Sequence, residues 1–354
     1  MIGRGPDARR RGARVLAAAA LVATAVGAVV GVHRIGAGRI VDDVAAVNPS
    51  LVLVALALMC LAMATRAVAW RAMLSAAFPG TRIALPPVLR ATSIGVLLSA
   101  TMPARVGEPA RAMVVARNVD PTGSGTAPLP RVLGTMVSQT ILNVVALLGL
   151  GVLTFSTYFG GQLGSLTGAT IVPLVAVVVV LLVVPAALKL MPRHRLGPLV
   201  DRVEGALAGV RAGLAVFRSP RPALEAVTGQ LGAWSLQWLS CYALLVAFGF
   251  DHAAGLGAAA AVLVAVNVTA VVPVTPSNLG VFQAACVLVL SGTNALSPAE
   301  ALGYGIVLQA VEMTTAVAMG APALLREGLG RHGVSLLGPA ATPRGAAGTP
   351  CRDT

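Results

Sequence analysis

Apolar runs separated by short arginine-bearing stretches dominate the chain, and their lengths sort them into two kinds. Runs at about 15–32, 50–68, 132–157, 168–190, 228–249 and 300–325 have the length of bilayer crossings, for which about 20 apolar residues suffice. Two further runs, at 91–117 and 257–290, are interrupted near their centres. The first breaks at Thr101-Met-Pro-Ala-Arg-Val-Gly-Glu-Pro-Ala-Arg111, the second at Val272-Pro-Val-Thr-Pro-Ser-Asn-Leu-Gly280. Pro109 has no N–H with which to bond the Arg105 carbonyl, so a helix cannot run through the first break. Each half is too short to cross. The pattern predicts an all-α membrane protein: a polytopic helical bundle with about six full spans and two re-entrant helical hairpins.

Between 189 and 225 the pattern changes. Leu199, Val203, Leu207, Val210, Leu214 and Phe217 recur at three- and four-residue spacing among arginines, which predicts an amphipathic surface helix over about 197–217. Residues 1–14 form a basic N-terminus. The Gly-, Pro- and Ala-rich stretch 327–354 reads as a disordered cytoplasmic tail. The transmembrane domain is then 15–326.

Composition narrows the class. The chain is 56% hydrophobic and 11% charged, with a mean hydropathy of +0.84, and no soluble class has that balance. The net charge of +13 accordingly reads as orientation and contact with anionic headgroups, with no nucleic acid as partner. With the N-terminus in the cytoplasm, the spans place all 26 Lys+Arg inside except Arg34 and Arg39, which lie outside, and Arg105 and Arg111, which lie in the first hairpin. Arg66, Trp70 and Arg71 read as inner interface anchors of the second span. On this threading the first hairpin enters from inside and the second from outside, an inverted-repeat-like arrangement. Both termini are cytoplasmic, in a multi-pass protein of the inner (plasma) membrane. The four cysteines show no metal-ligand spacing, and no cofactor or metal is expected.

Candidate chemistry gathers at the two breaks. Both contain Pro-x-x-x-Gly followed by a carboxylate or carboxamide: Pro103 to Gly107 with Glu108, and Pro276 to Gly280 with Gln283. Broken helices in the two halves of a transporter mark a midplane site, because the new helix ends offer free N–H groups to an anion. Arg105 and Arg111 suit bidentate contact with a phosphate. Glu108 either holds one arginine in place or accepts from an ammonium or hydroxyl of a headgroup. Thr275, Ser277, Asn278 and Gln283 either cap a broken helix or contact substrate. Gln309 and Glu312 share a helical face in the last span. Glu312 reads as a partner for Arg105 or Arg111, a proton-coupling group, or an interhelical hydrogen bond. Gln139 and Asn143 read as helix–helix contacts or cavity lining. The substrate-binding candidates are thus Arg105, Gly107, Glu108, Arg111, Pro276, Asn278, Gly280, Gln283, Gln309 and Glu312.

At these residues the chain resembles the flippase-like integral membrane family typified by the transmembrane region of lysylphosphatidylglycerol synthase. Met102-Pro-Ala-Arg-Val-Gly-Glu-Pro-Ala-Arg111 is similar to that family's Pro-x-Arg-x-Gly-Glu-x-x-Arg element. Pro273-Val-Thr-Pro-Ser-Asn-Leu-Gly-Val281 is similar, more loosely, to its Pro-x-Gly-x-Gly-x-x-Glu element. The resemblance covers roughly 15–326 and implies a helical bundle that moves a polar lipid between leaflets. The implied lipid is an anionic or zwitterionic phospholipid or a polyprenyl-linked envelope precursor, with envelope-assembly proteins as partners. The chain departs from the family pattern at Ser277 and Asn278, where glycines are usual, and at Gln283, where a glutamate is common. Gln139, Thr140 and Asn143 also stand where many members carry charges. Only 28 residues follow Arg326, so the synthase's soluble domain and its enzymatic activity are not expected. Two rivals remain: an integral membrane transferase acting on a polyprenyl lipid, and a non-transporting scaffold docking through 189–225.

Overall fold

Helix starts in this chain are written in its prolines and caps. Asn48 accepts the Ser50 N–H at 3.1 Å, with Pro49 in the first turn. Ser297 and Glu300 form a reciprocal capping box ahead of Pro298. A proline in the first turn lacks only an N–H that would have no helical partner. A computed structural model describes residues 44–102, 106–119, 128–158, 216–217, 219–270, 278–293 and 296–328. Among these it shows eight helices: α1 (Pro49–Ala77), α2 (Leu85–Thr101), α3 (Gly107–Val119), α4 (Pro128–Tyr158), α5 (Pro220–Ala247), α6 (Leu256–Thr269), α7 (Val281–Thr293) and α8 (Pro298–Arg326). The expected spans at 15–32 and 168–190 lie outside the described residues, as do most of the surface helix at 197–217 and the tail beyond 328.

The chain is all-helical over the described residues, and α1, α4 and α8 contain segments long and apolar enough to cross a membrane. Helix α5 has 28 residues, but Gln230, Gln237 and Ser240 interrupt its apolar run. Those side chains bond to neighbouring helices, so the interruption serves packing. Helix α1 continues to Ala77, beyond the expected end near 68. Trp70 is therefore not an interface anchor: it is fully buried, and Arg66 lies well inside the helix.

Antiparallel α1 and α5 pack along their length. Asn48 N–H reaches the Ala247 carbonyl at one end, and Arg71 stands 3.9 Å from Glu225 at the other. Helix α8 lies against α1, α2 and α7, and α4 lies against α1, α3 and α6. Helices α2 and α3 pack on each other across the first break, and α6 and α7 across the second. Arg90 bonds Glu327 at 2.6 Å, so the start of α2 and the end of α8 share one end of the bundle.

Two apolar cores result. One joins Met59, Leu244, Leu263, Leu290, Tyr304 and Leu308 toward the end where α1 begins. The other joins Trp70, Leu74, Ile94, Val115 and Val132 toward the end where α1 finishes. In each long helix the residues between the two cores include a polar side chain.

The α2–α3 contact depends on one glycine. A Cβ at Gly107 would lie 1.9 Å from the Gly95 carbonyl oxygen and 2.3 Å from Ser99 Oγ, so any larger residue forces the two helices apart. Gly107→Ala should lower the thermal midpoint of the purified protein, at a cost of about 1–3 kcal/mol. Gly149→Ala, whose added Cβ meets nothing within 4 Å, should leave the midpoint unchanged or raise it. Equal effects from the two substitutions would show that the close approach is not there.

Candidate functional site

The polar side chains between the two cores lie near the centres of their helices. Asn143 is at the midpoint of α4 and Glu312 at the midpoint of α8. Asn143 Oδ1 accepts from Gln230 Nε2 and, at 3.3 Å, from Trp234 Nε1. That ties α4 to α5. Arg66 donates through Nη2 to Gln237 Oε1 at 3.1 Å, and Glu312 is within electrostatic reach of Arg66. Gln139 is 1% exposed, and neither its oxygen nor its nitrogen has a partner. Polar groups bonded this way hold helices together in lipid; an unpartnered one carries the full cost of its lost hydration.

The first break places Glu108 and Arg111 on the opening turns of α3. Their side chains are 2.6 Å apart, Glu108 half-exposed and Arg111 mostly covered. The Arg111 guanidinium lies 5.0 Å from the centre of the Trp70 ring, an arrangement that favours the cation. Trp70 in turn donates through Nε1 to Thr135 Oγ1 at 3.0 Å. Arg111 is thus held by a carboxylate on its own helix and an aromatic face on α1. Pro109 falls in the first turn of α3, where its missing N–H costs nothing. Arg105 and Pro276 lie outside the described residues.

The described end of the second break bonds to α6 and α8. Asn278 and Gly280 both have positive φ, 56° and 83°, in the left-handed region that asparagine and glycine tolerate best. Asn278 Nδ2 donates to Thr269 Oγ1 at 3.1 Å. The Gly280 N–H donates to Gln283 Oε1 at 2.7 Å, and Gln283 Nε2 donates to Gln309 Oε1. One side chain therefore accepts from the break and donates to α8. Glutamine can do both, whereas an ionised glutamate only accepts.

The structure thus groups the candidates in two sets. Glu108 and Arg111 pair at the first break, with Gly107 in the α2–α3 contact. Gly280, Gln283 and Gln309 form a chain of hydrogen bonds at the second, beside the separate Asn278–Thr269 bond. Glu312, on the face it shares with Gln309, is within reach of Arg66, while Arg111 has Glu108. Gln237 and Gln230 are not singled out by the sequence, and Arg66 reads there only as an interface anchor. The missed signal is the cap at Asn48-Pro49 together with the apolar residues continuing past Arg66 to Ala77, which set that arginine deep in a long helix.

Strain at the second break is directly testable. Asn278→Gly should keep the thermal midpoint near that of the unmodified chain. Asn278→Val should lower it, because a β-branched residue pays about 1–2 kcal/mol in the left-handed region. A midpoint indifferent to valine would contradict the backbone geometry.

Comparison with known proteins places this geometry in a family. A search of curated proteins returns no match. A family model described as the lysylphosphatidylglycerol synthase TM region matches residues 14–320. That covers most of the chain, including both breaks and every polar residue between the two cores. The protein therefore belongs to the lysylphosphatidylglycerol synthase transmembrane-region family, as a helical, multi-pass membrane protein.

Proposed function

We propose that the protein is a lipid flippase or lipid-binding transporter. It receives the headgroup of an anionic or zwitterionic lipid, a phospholipid or a polyprenyl-linked envelope precursor, between the two broken helix pairs. The observation that carries this reading is the opposed orientation of those pairs. The outer ends of α2 and α3 lie near Arg82, Arg90, Arg117 and Arg131, and the outer ends of α6 and α7 lie near Asp251 and Glu300. Helices of 13 to 17 residues reach about 20–26 Å, short of a hydrocarbon core about 30 Å thick. Each pair is read as a re-entrant hairpin, the two entering from opposite faces with about six full spans around them. The arginine-bearing face is the cytoplasmic one by the positive-inside rule, which puts both termini inside.

A headgroup at mid-depth needs polar partners there, and this bundle supplies them where its apolar cores part. Glu108 and Arg111 stand at the edge of that layer on the cytoplasmic side, with Arg105 beside them in sequence. The half-exposed Glu108 holds Arg111 in position and can be exchanged for a phosphate as a lipid arrives. Family membership is consistent with a lipid as the ligand.

Reconstitution tests the reading. Proteoliposomes carrying a headgroup-labelled phospholipid should show rapid movement between leaflets, read by chemical quenching of the outer leaflet. Glu108→Gln should slow that movement at least tenfold while membrane insertion is unchanged. Transport at the unmodified rate in this variant would overturn the role given to the first break.

A further inference from the structure

Two arginines near the middle of the bundle have an unfinished bonding pattern. Arg111 bonds Glu108 and Arg66 bonds Gln237, yet the Nε–H of each guanidinium is buried with no acceptor. Among the described residues Arg66 forms no ion pair. Arg66 bonds a neutral amide and has Glu312 within electrostatic reach but not in contact, so its guanidinium keeps an unmade bond where burial has removed the water that would fill it. Gln139 is the third such group, with both polar atoms unpartnered.

Helix register brings the three together. The Trp70–Thr135 bond pins α1 against antiparallel α4. One turn farther toward the centre, α1 carries Arg66 and α4 carries Gln139, each about 6 Å along its axis from that bond and on the same face. Arg111 sits over the Trp70 ring and is within electrostatic reach of Arg66. Arg66 thus has Arg111 together with the Glu108 and Glu312 carboxylates in electrostatic reach, yet both arginines keep an Nε–H donor that finds no acceptor.

We propose that Arg66, Arg111 and Gln139 form a single anion site for a phosphate ester, with Arg66 as a second cation of the headgroup site. Donors arriving from three helices, α1, α3 and α4, match a tetrahedral group with several oxygens better than a planar carboxylate, which one arginine fork can satisfy. The Gln139 carbonyl oxygen is left to accept from a hydroxyl or ammonium beside the phosphate. This rests on the headgroup reading above and specifies its chemistry. The same chemistry could be met by a lipid headgroup or by free phosphate.

The experiment uses the purified full-length chain in detergent. It is titrated with dihexanoyl-phosphatidylglycerol, with phosphate-free dihexanoylglycerol and with inorganic phosphate, and the thermal midpoint is followed. The phosphatidylglycerol should raise the midpoint and the phosphate-free control should not. Arg66→Gln should weaken the apparent affinity at least tenfold, and Arg66→Lys less. Gln139→Glu is nearly isosteric and serves if Arg66→Gln does not fold. Its carboxylate would pair with Arg66, so the ligand-free protein should be at least as heat-stable as the unmodified chain and the lipid response should vanish. A shift by inorganic phosphate as large as that by lipid identifies free phosphate as the ligand; a shift by the lipid alone identifies the headgroup. Unmodified affinity in both variants, a response to the phosphate-free control, or no response to either phosphate probe would overturn the site. Binding lost in the variants while the unmodified protein moves no lipid would leave the site standing and remove the transport reading instead.

Discussion

Backbone that leaves the helix inside a bilayer must find its hydrogen bonds within the protein, since lipid offers none. We place both helix breaks of this chain at that depth, and much of the bundle's arrangement accords with it. The halves on either side of each break must pack together, which is why Gly107 meets Gly95 and Ser99 with no room for a side chain. One long helix also packs on a half of each pair, α8 touching both α2 and α7. Two apolar cores form, one around each end of the bundle, and polar side chains occupy the level between them.

The two breaks are chemically unequal. At the second, Gly280, Gln283 and Gln309 form a chain that ends on α8, while Asn278 bonds Thr269 and keeps a buried acceptor, its Oδ1, without a donor. At the first, the arginine is fastened by Glu108 and Trp70 but keeps a buried donor without an acceptor. The unmade bond is an acceptor at the second break and a donor at the first, and only a donor is completed by an anion. The same Gln283 that departs from the family's usual glutamate links Gly280 to Gln309 on α8, because its amide both accepts and donates. In this protein the demand for an anion is concentrated on the α1–α3–α4 side.

Much of this was legible in the residues. Helix class, the two interruptions and the sorting of arginines to one end follow from run length, proline and charge alone. The span ends were less so. Helix α1 runs on to Ala77 because Ala67, Trp70, Met73 and Leu74 are buried by neighbouring helices, and no local signal distinguishes a tryptophan at an interface from one inside a bundle. Arg66 was misplaced for the same reason. Its depth depends on where α1 starts and ends, and its meaning depends on Gln237, 171 residues away. Gln139 could be weighed as cavity lining from its position, but only packing shows that nothing satisfies it.

Opposed entry of the two broken pairs is the claim from which the rest descends, and membrane sidedness reads it most directly. Single cysteines can be placed at exposed Thr81 and Asn118, flanking the first break, and at exposed His252 and Gly292, flanking the second. The native cysteines are replaced, and a membrane-impermeant thiol reagent is applied to sealed vesicles of known orientation. Positions 81 and 118 should react together from the cytoplasmic side, and positions 252 and 292 together from the other. Labelling of 81 and 118 from opposite faces, or of all four from one, would contradict the account.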